Sequence, residues 1–190
     1  MAILIIGLAI FLGVHSIAIV APGFRARAIA TTGEGGWRGL YALLSAVGFG
    51  LLIYGFALAR LEPRVLYVPP AWMHHVTFLF MLPVFPLALA AYLPGRIQTT
   101  MKHPLLAAVK FWALAHLLSN GTLADVLLFG GFLAWAVCDR ISLKRRAARV
   151  VRTAPQGRYN DVIAILLGLA LYAFFIYWAH VRLFGVSPLG

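Results

Sequence analysis

The sequence predicts an all-α fold, a polytopic membrane helix bundle of about six transmembrane helices, and three observations carry that expectation. Of the 190 residues 63% are hydrophobic and only 11% charged, with a mean hydropathy of +0.92, whereas a soluble domain is about half apolar and a quarter charged. Six stretches approach the ~20 mostly apolar residues that cross a bilayer. Lys and Arg gather in alternate connections between those stretches, as the positive-inside rule requires of cytoplasmic loops.

The first stretch, residues 2–20, has no Lys or Arg before it and is longer than the apolar region of a signal peptide, so it is expected as a retained span. Residues 39–59 form the second. The third, 72–93, contains Pro83 and Pro86, which should kink it and free backbone carbonyls, either shaping the bundle or opening room for a ligand. The fourth and fifth, 104–118 and 123–138, are the shortest. They read as a hairpin broken at Ser119-Asn120-Gly121, with Thr122 the N-cap of the helix that follows. Residues 162–183 complete the set.

Arg25, Arg27 and Arg38 flank the first connection, and Arg96 and Lys102 the third. Arg140, Lys144, Arg145, Arg146, Arg149, Arg152 and Arg158 lie in or beside the fifth, and the opposite side holds only Arg60, Arg64 and Arg182. The basic loops are therefore placed in the cytoplasm and both termini outside. The net charge of +11 follows from this topology and from attraction to anionic lipid, so no nucleic-acid partner is expected. Trp72, Trp112, Trp135, Tyr177 and Trp178 are expected as interface or packing aromatics. Gly48 and Gly55 allow close helix contact, within or between chains. The single cysteine, Cys138, excludes an internal disulfide, and without a Cys-x-x-Cys-His motif there is no covalent c-type haem attachment. A cofactor would have to be held by histidine or by shape.

Six histidines remain. His74, His75 and His180 fall near outer helix ends, where imidazole meets water, and the adjacent pair should point about 100° apart and not share an ion. His103 precedes Pro104, a pattern that starts a helix, and Lys102 beside it should be solvated. Lys110 lies about two turns into the fourth span, where it either snorkels to the interface or pairs with an anion such as a cofactor carboxylate. His15 and His116 are the deepest, each about 20 Å along its helix. Side chains lean toward helix N-termini, so on oppositely directed helices these two imidazoles reach toward each other. Either they share one iron in a flat macrocycle, or each bonds separately to backbone or to Ser16.

Gly13-Val14-His15-Ser16, then Lys102-His103-Pro104, then Trp112-Ala113-Leu114-Ala115-His116-Leu117-Leu118-Ser119-Asn120-Gly121 together resemble the NnrU family of bacterial membrane proteins over nearly the whole chain. The resemblance implies a bacterial inner-membrane protein with periplasmic termini, associated with nitric oxide and nitrite reduction in denitrification. The family's plant and cyanobacterial relatives include 15-cis-ζ-carotene isomerase, a haem b protein whose cofactor is tied to histidines in these motifs. It thus implies non-covalent haem b with His15 and His116 as iron ligands; beside that, Lys110 or an inner-loop arginine is expected to meet the propionates, and His103 is counted with Lys110 in the cofactor-binding set. One departure matters: the isomerase motif has a cysteine three residues before its second histidine, where this chain has Ala113. Cys138 is a poor substitute, which weakens the isomerase chemistry more than haem binding.

The leading expectation is therefore a membrane haem protein serving electron transfer, gas sensing or activation of an apolar substrate, in the lipid bilayer and with a membrane reductase or redox partner. A second is a haem-dependent isomerase of a carotenoid-like polyene. A third is an isoprenylcysteine-type methyltransferase, which also has a histidine-proline pair, although acidic and aromatic residues to hold S-adenosylmethionine do not follow His103-Pro104. A fourth is a non-catalytic assembly or maturation factor. Whether the chain is an enzyme stays open at this level.

Overall fold

Pro22 and Pro104 begin helices, Pro83 divides one, and Thr122 caps another; these local signals fix most of the architecture. A computed structural model describes residues 1–146 and 153–189. In chain order the helices are α1 (Ala2–Val20), α2 (Pro22–Ala59), α3 (Met73–Met81), α4 (Val84–Ala90), α5 (Arg96–Met101), α6 (Pro104–Ser119), α7 (Leu123–Ser142), α8 (Asn160–Phe174), a π-helical turn (Phe175–Ala179) and α9 (His180–Phe184). No strand occurs among the described residues, only an isolated bridge between Val65 and Thr122. Arg149 and Arg152 of the basic fifth connection lie outside the described residues.

The all-helical expectation holds, and α1 has the bounds read from the sequence. Four helical stretches among the described residues are long and apolar enough to cross a membrane: Ala2–Val20, Pro22–Ala59, Met73–Ala90 and Asn160–Phe184. Pro104–Ser119 is apolar but shorter. Helix α7 has 20 residues but carries Asp125, Asp139 and Arg140. Length and composition thus identify four of the six expected spans.

The second helix begins well before residue 39. Proline at its first position has the helical φ built in, and 22–32 is helical up to Gly33, whose φ of 73° breaks the axis. Only glycine takes that conformation without strain. The third span is divided between α3 and α4 at Leu82-Pro83, because proline has no N–H to continue the ladder.

The chain forms two compact units, Met1–Pro69 with Asn120–Arg146, and Pro70–Ser119 with the described part of Ala147–Gly190. In unit one α1 packs on α2 and on α7. A Cβ on Gly48 would lie 2.8 Å from the Phe11 nitrogen, and one on Gly7 2.6 Å from the Leu52 nitrogen. Gly55 similarly meets the Leu4 backbone. Gly48 and Gly55 therefore serve contact within the chain, the small-residue packing that lets membrane helices approach closely. Leu4, Leu52, Ala59 and Ala124 form the core there, flanked by Leu8, Phe11, Phe56, Leu128 and Phe132. At the end of α7, buried Asp139 pairs with Arg146, which neutralises a carboxylate placed against the negative end of the helix dipole.

The turn before α7 is built as its sequence signals. Thr122 caps α7, its hydroxyl accepting from the Asp125 N–H at 3.2 Å while the Asp125 carboxylate accepts from the Thr122 N–H at 3.0 Å. The Gly121 carbonyl accepts from Leu66 N–H at 2.8 Å and Tyr67 N–H at 3.1 Å, and Leu123 N–H donates to the Arg64 carbonyl at 2.8 Å. A side chain at Gly121 would strike the Tyr67 carbonyl.

In unit two α6 packs on α3 and α4, and α4 on α8. Pro86 lies directly on Gly168, where an added Cβ would meet the proline nitrogen at 2.5 Å. The Tyr172 hydroxyl donates to the Phe78 carbonyl at 2.8 Å beside the break. The prolines thus shape the packing of α4 against α8. At the start of α5, the Asp161 carboxylate accepts from Arg96 N–H at 2.8 Å and Ile97 N–H at 3.1 Å. Asn160 Nδ2 donates to the Pro94 carbonyl at 2.8 Å and the Pro155 carbonyl at 3.1 Å. This clasp satisfies orphan N–H groups of a helix start.

Candidate functional site

His15 is half-buried in unit one, on the last third of α1. Its Nδ1–H donates to the Phe11 carbonyl at 2.7 Å. A carbonyl can only accept, so a proton sits on Nδ1, and Nε2 is the ring atom turned away from the α1 backbone. Phe11 stacks on the imidazole at 4.3 Å between ring centroids and 29° between planes. Tyr41 of α2 lies at 5.4 Å, and Trp135 of α7 stands edge-on at 6.1 Å and 87°. Ser16 does not bond to His15; its hydroxyl donates to the Leu12 carbonyl at 2.6 Å.

His116 is half-buried in unit two. It repeats the local device: Nδ1–H donates to the Trp112 carbonyl four residues back at 2.9 Å, with the Trp112 ring at 5.4 Å. Nearby, Thr77 of α3 bonds to the Ala115 carbonyl at 3.1 Å and to the Ser119 hydroxyl, pinning α6 to α3. Ala113, the position of the isomerase cysteine, is fully buried. Cys138 is exposed, one residue before Asp139 on α7.

Each deep histidine is thus anchored in its own helix, and both carry the tautomer that metal-bound histidines carry, in which the second ring N–H is held by a carbonyl. That local bonding is the separate-histidine alternative from the sequence, and it is equally the orientation a ligand needs. His15 belongs to unit one and His116 to unit two.

The remaining candidates fall out as follows. His103 is half-buried and its carbonyl accepts from Ala107 N–H at 3.2 Å, so it opens α6 as the His-Pro pattern predicts. Exposed Lys102 has φ 60° and ψ −39°, and His103 N–H donates to the Met101 carbonyl at 2.7 Å, which makes a γ-turn of the rare strained hand. Lys110 is half-buried and has no acid in ion-pair contact among the described residues, where the ion pairs are Arg38–Glu34 and Arg146–Asp139. His74 and His75 are exposed and, against the expected divergence, bring their ring centroids to 4.1 Å. His180 is held by the Val186 carbonyl at 2.7 Å. No group of three or more His, Cys, Asp or Glu side chains among the described residues is placed to hold a metal ion.

Sequence reading missed the surroundings of His15. Trp135 Nε1 and Ser45 Oγ are buried with no hydrogen-bond partner among the described residues. Nothing in the local pattern of α2 or α7 marks either position; their significance comes from packing against α1.

No curated protein and no solved structure matches the chain. The family model described as NnrU protein matches residues 3–188, and the chain accordingly belongs to the NnrU family.

Proposed function

We propose that this NnrU-family chain is a membrane haem b protein, associated with nitric oxide and nitrite metabolism, in which His15 and His116 supply the iron ligands. The observation that carries the reading is the shared tautomer: Nδ1–H of each ring is held by the carbonyl four residues earlier, at 2.7 and 2.9 Å. Each Nε2 is thereby turned into a donor atom of fixed direction, the support that ligating histidines require. The surroundings fit a large apolar group, since Phe11, Tyr41 and Trp135 stand about one ring and Trp112 about the other. Half-buried Lys110, with no acid in ion-pair contact among the described residues, supports the reading as a partner for a carboxylate. His103 joins it through the start of α6.

When bound, haem b would supply one-electron chemistry whose potential depends on axial ligation and local polarity. The chain's own part is to orient two imidazoles through their Nδ1–H bonds and to exclude water with aromatic walls. The bilayer is its solvent, and a membrane reductase or redox partner is the expected macromolecular partner. A bacterial inner-membrane location with both termini periplasmic is supported by the basic loops. It is supported too by bonds between segments that such a topology leaves on one side: 64–67 with 121–123, and 94–97 with 160–161.

The experiment is the absorbance spectrum of the purified protein. A Soret band is expected, lost in His15→Ala and His116→Ala and kept in His180→Ala. An unchanged spectrum in both deep variants excludes this ligand pair.

A further inference from the structure

The buried donors beside His15 call for an acceptor. A buried N–H or O–H that finds no partner bears its full desolvation cost, so buried tryptophan N–H groups usually have one. Trp135 Nε1 and Ser45 Oγ have none among the described residues. Both belong to unit one and both sit at the level of His15. Trp135 reaches it directly, ring to ring at 6.1 Å. Ser45 reaches it by register: Gly55 opposes Leu4 and Gly48 opposes Phe11 across the antiparallel α1–α2 contact, and one turn further on Ser45 comes opposite Val14, beside His15.

What kind of acceptor belongs there follows from the group His15 is proposed to hold. Haem b binds iron through its pyrrole nitrogens, so the acceptors it offers to protein donors are its propionate carboxylates. His15 is five residues from the α1 terminus at Val20, roughly 8 Å at the helical rise. A carboxylate at this level is close to the water interface, where its charge is least costly, and an N–H and an O–H aimed at it form charge-assisted bonds, the stronger kind.

We infer that Trp135 Nε1–H and Ser45 Oγ–H donate hydrogen bonds to a carboxylate of the group bound at His15. This rests on the haem reading above. Trp135 and Ser45 are then binding residues of α7 and α2.

The test is a binding cycle with the full-length chain in detergent, titrated with haem b and with haem b dimethyl ester, in which the carboxylates are masked. Trp135→Phe keeps the ring and removes the N–H; Ser45→Ala removes the hydroxyl. Each variant should bind haem b about tenfold to a hundredfold more weakly than the wild type, the range for a hydrogen bond to a charged group. The dimethyl ester keeps a carbonyl acceptor but carries no charge, so with it the difference between wild type and variant should shrink to about tenfold or less. Equal haem b affinity in wild type and both variants overturns the inference, and so does an equal loss with both ligands, which assigns the residues to packing alone. If the wild type shifts the Soret band of neither ligand from its position in protein-free detergent, the haem reading itself falls, a result distinct from the other two.

Discussion

Replacing Gly48 by alanine tests the link between helix packing and the His15 site. The new Cβ would lie 2.8 Å from the Phe11 nitrogen, 3.0 Å from its Cα and 3.1 Å from Ile10 Cγ2, where ordinary contact begins at 3.4 Å. The α1 backbone at Phe11 must therefore withdraw by roughly 0.5 Å, an overpacking strain of about 1–3 kcal/mol. Alanine regains about 0.5–1 kcal/mol of helix propensity over glycine, leaving a net loss of about 0–2.5 kcal/mol, and because Gly50→Ala gains the same propensity, the two variants differ by the full strain of about 1–3 kcal/mol. Gly50 is the control, because nothing stands within 4 Å of its Cβ position, so Gly50→Ala should be neutral or slightly stabilising. At about 2–4 °C per kcal/mol for a chain of this size, the two variants should differ measurably in thermal melts followed by tryptophan fluorescence in detergent. Phe11 also holds His15 by its carbonyl and its ring, so on the proposed haem reading Gly48→Ala should lower haem affinity as well. Melting of Gly48→Ala at or above Gly50→Ala would refute the packing argument.

Other consequences can be checked in the same preparation. Asp161→Ala removes both acceptors from the start of α5 and should cost about 2–4 kcal/mol, while Asp161→Asn, which keeps one acceptor oxygen, should cost less. Gly121→Ala drives a methyl into the Tyr67 carbonyl and should release residues 64–67, seen as faster limited proteolysis between α2 and α3. Burial, and after it the charge of Asp125, raises the Tyr67 phenol above its ordinary 10.0. The fold thus favours the neutral phenol, so its contribution to stability is complete below pH 10.0 and is lost as the pH rises above it. Tyr67→Phe should flatten that alkaline limb of melting temperature against pH, and an unchanged limb would count against the assignment.

Much of the fold was legible because its signals are local. The bounds of α1, the His103-Pro104 start of α6 and the Ser119-Asn120-Gly121 turn with its Thr122 cap all follow from hydropathy and from what proline, glycine and threonine do to the nearest backbone groups. The helicity of 22–32 escaped because a polar, arginine-bearing segment has no span signature, and its helix rests on Pro22 and on the break at Gly33. For the candidate site, His15 and His116 were visible as polar groups in apolar helices, and their Nδ1 anchors are local too, four residues back.

The sequence by itself determined that this chain is helical, carries apolar helices long enough to cross a membrane and has two histidines within apolar helices. Only the tertiary structure decided that Gly48 and Gly55 pack against α1 of the same chain, that Pro86 rests on Gly168, that Asp161 caps a helix begun 65 residues earlier at Arg96, and that Trp135 stands beside His15. The Asp161 cap escapes because its donors and acceptor are distant in sequence; the packing contacts share another physical reason. In a membrane helix the face toward lipid and the face toward a partner are both apolar, so periodicity does not distinguish them, and the choice is made by steric fit between surfaces distant in sequence.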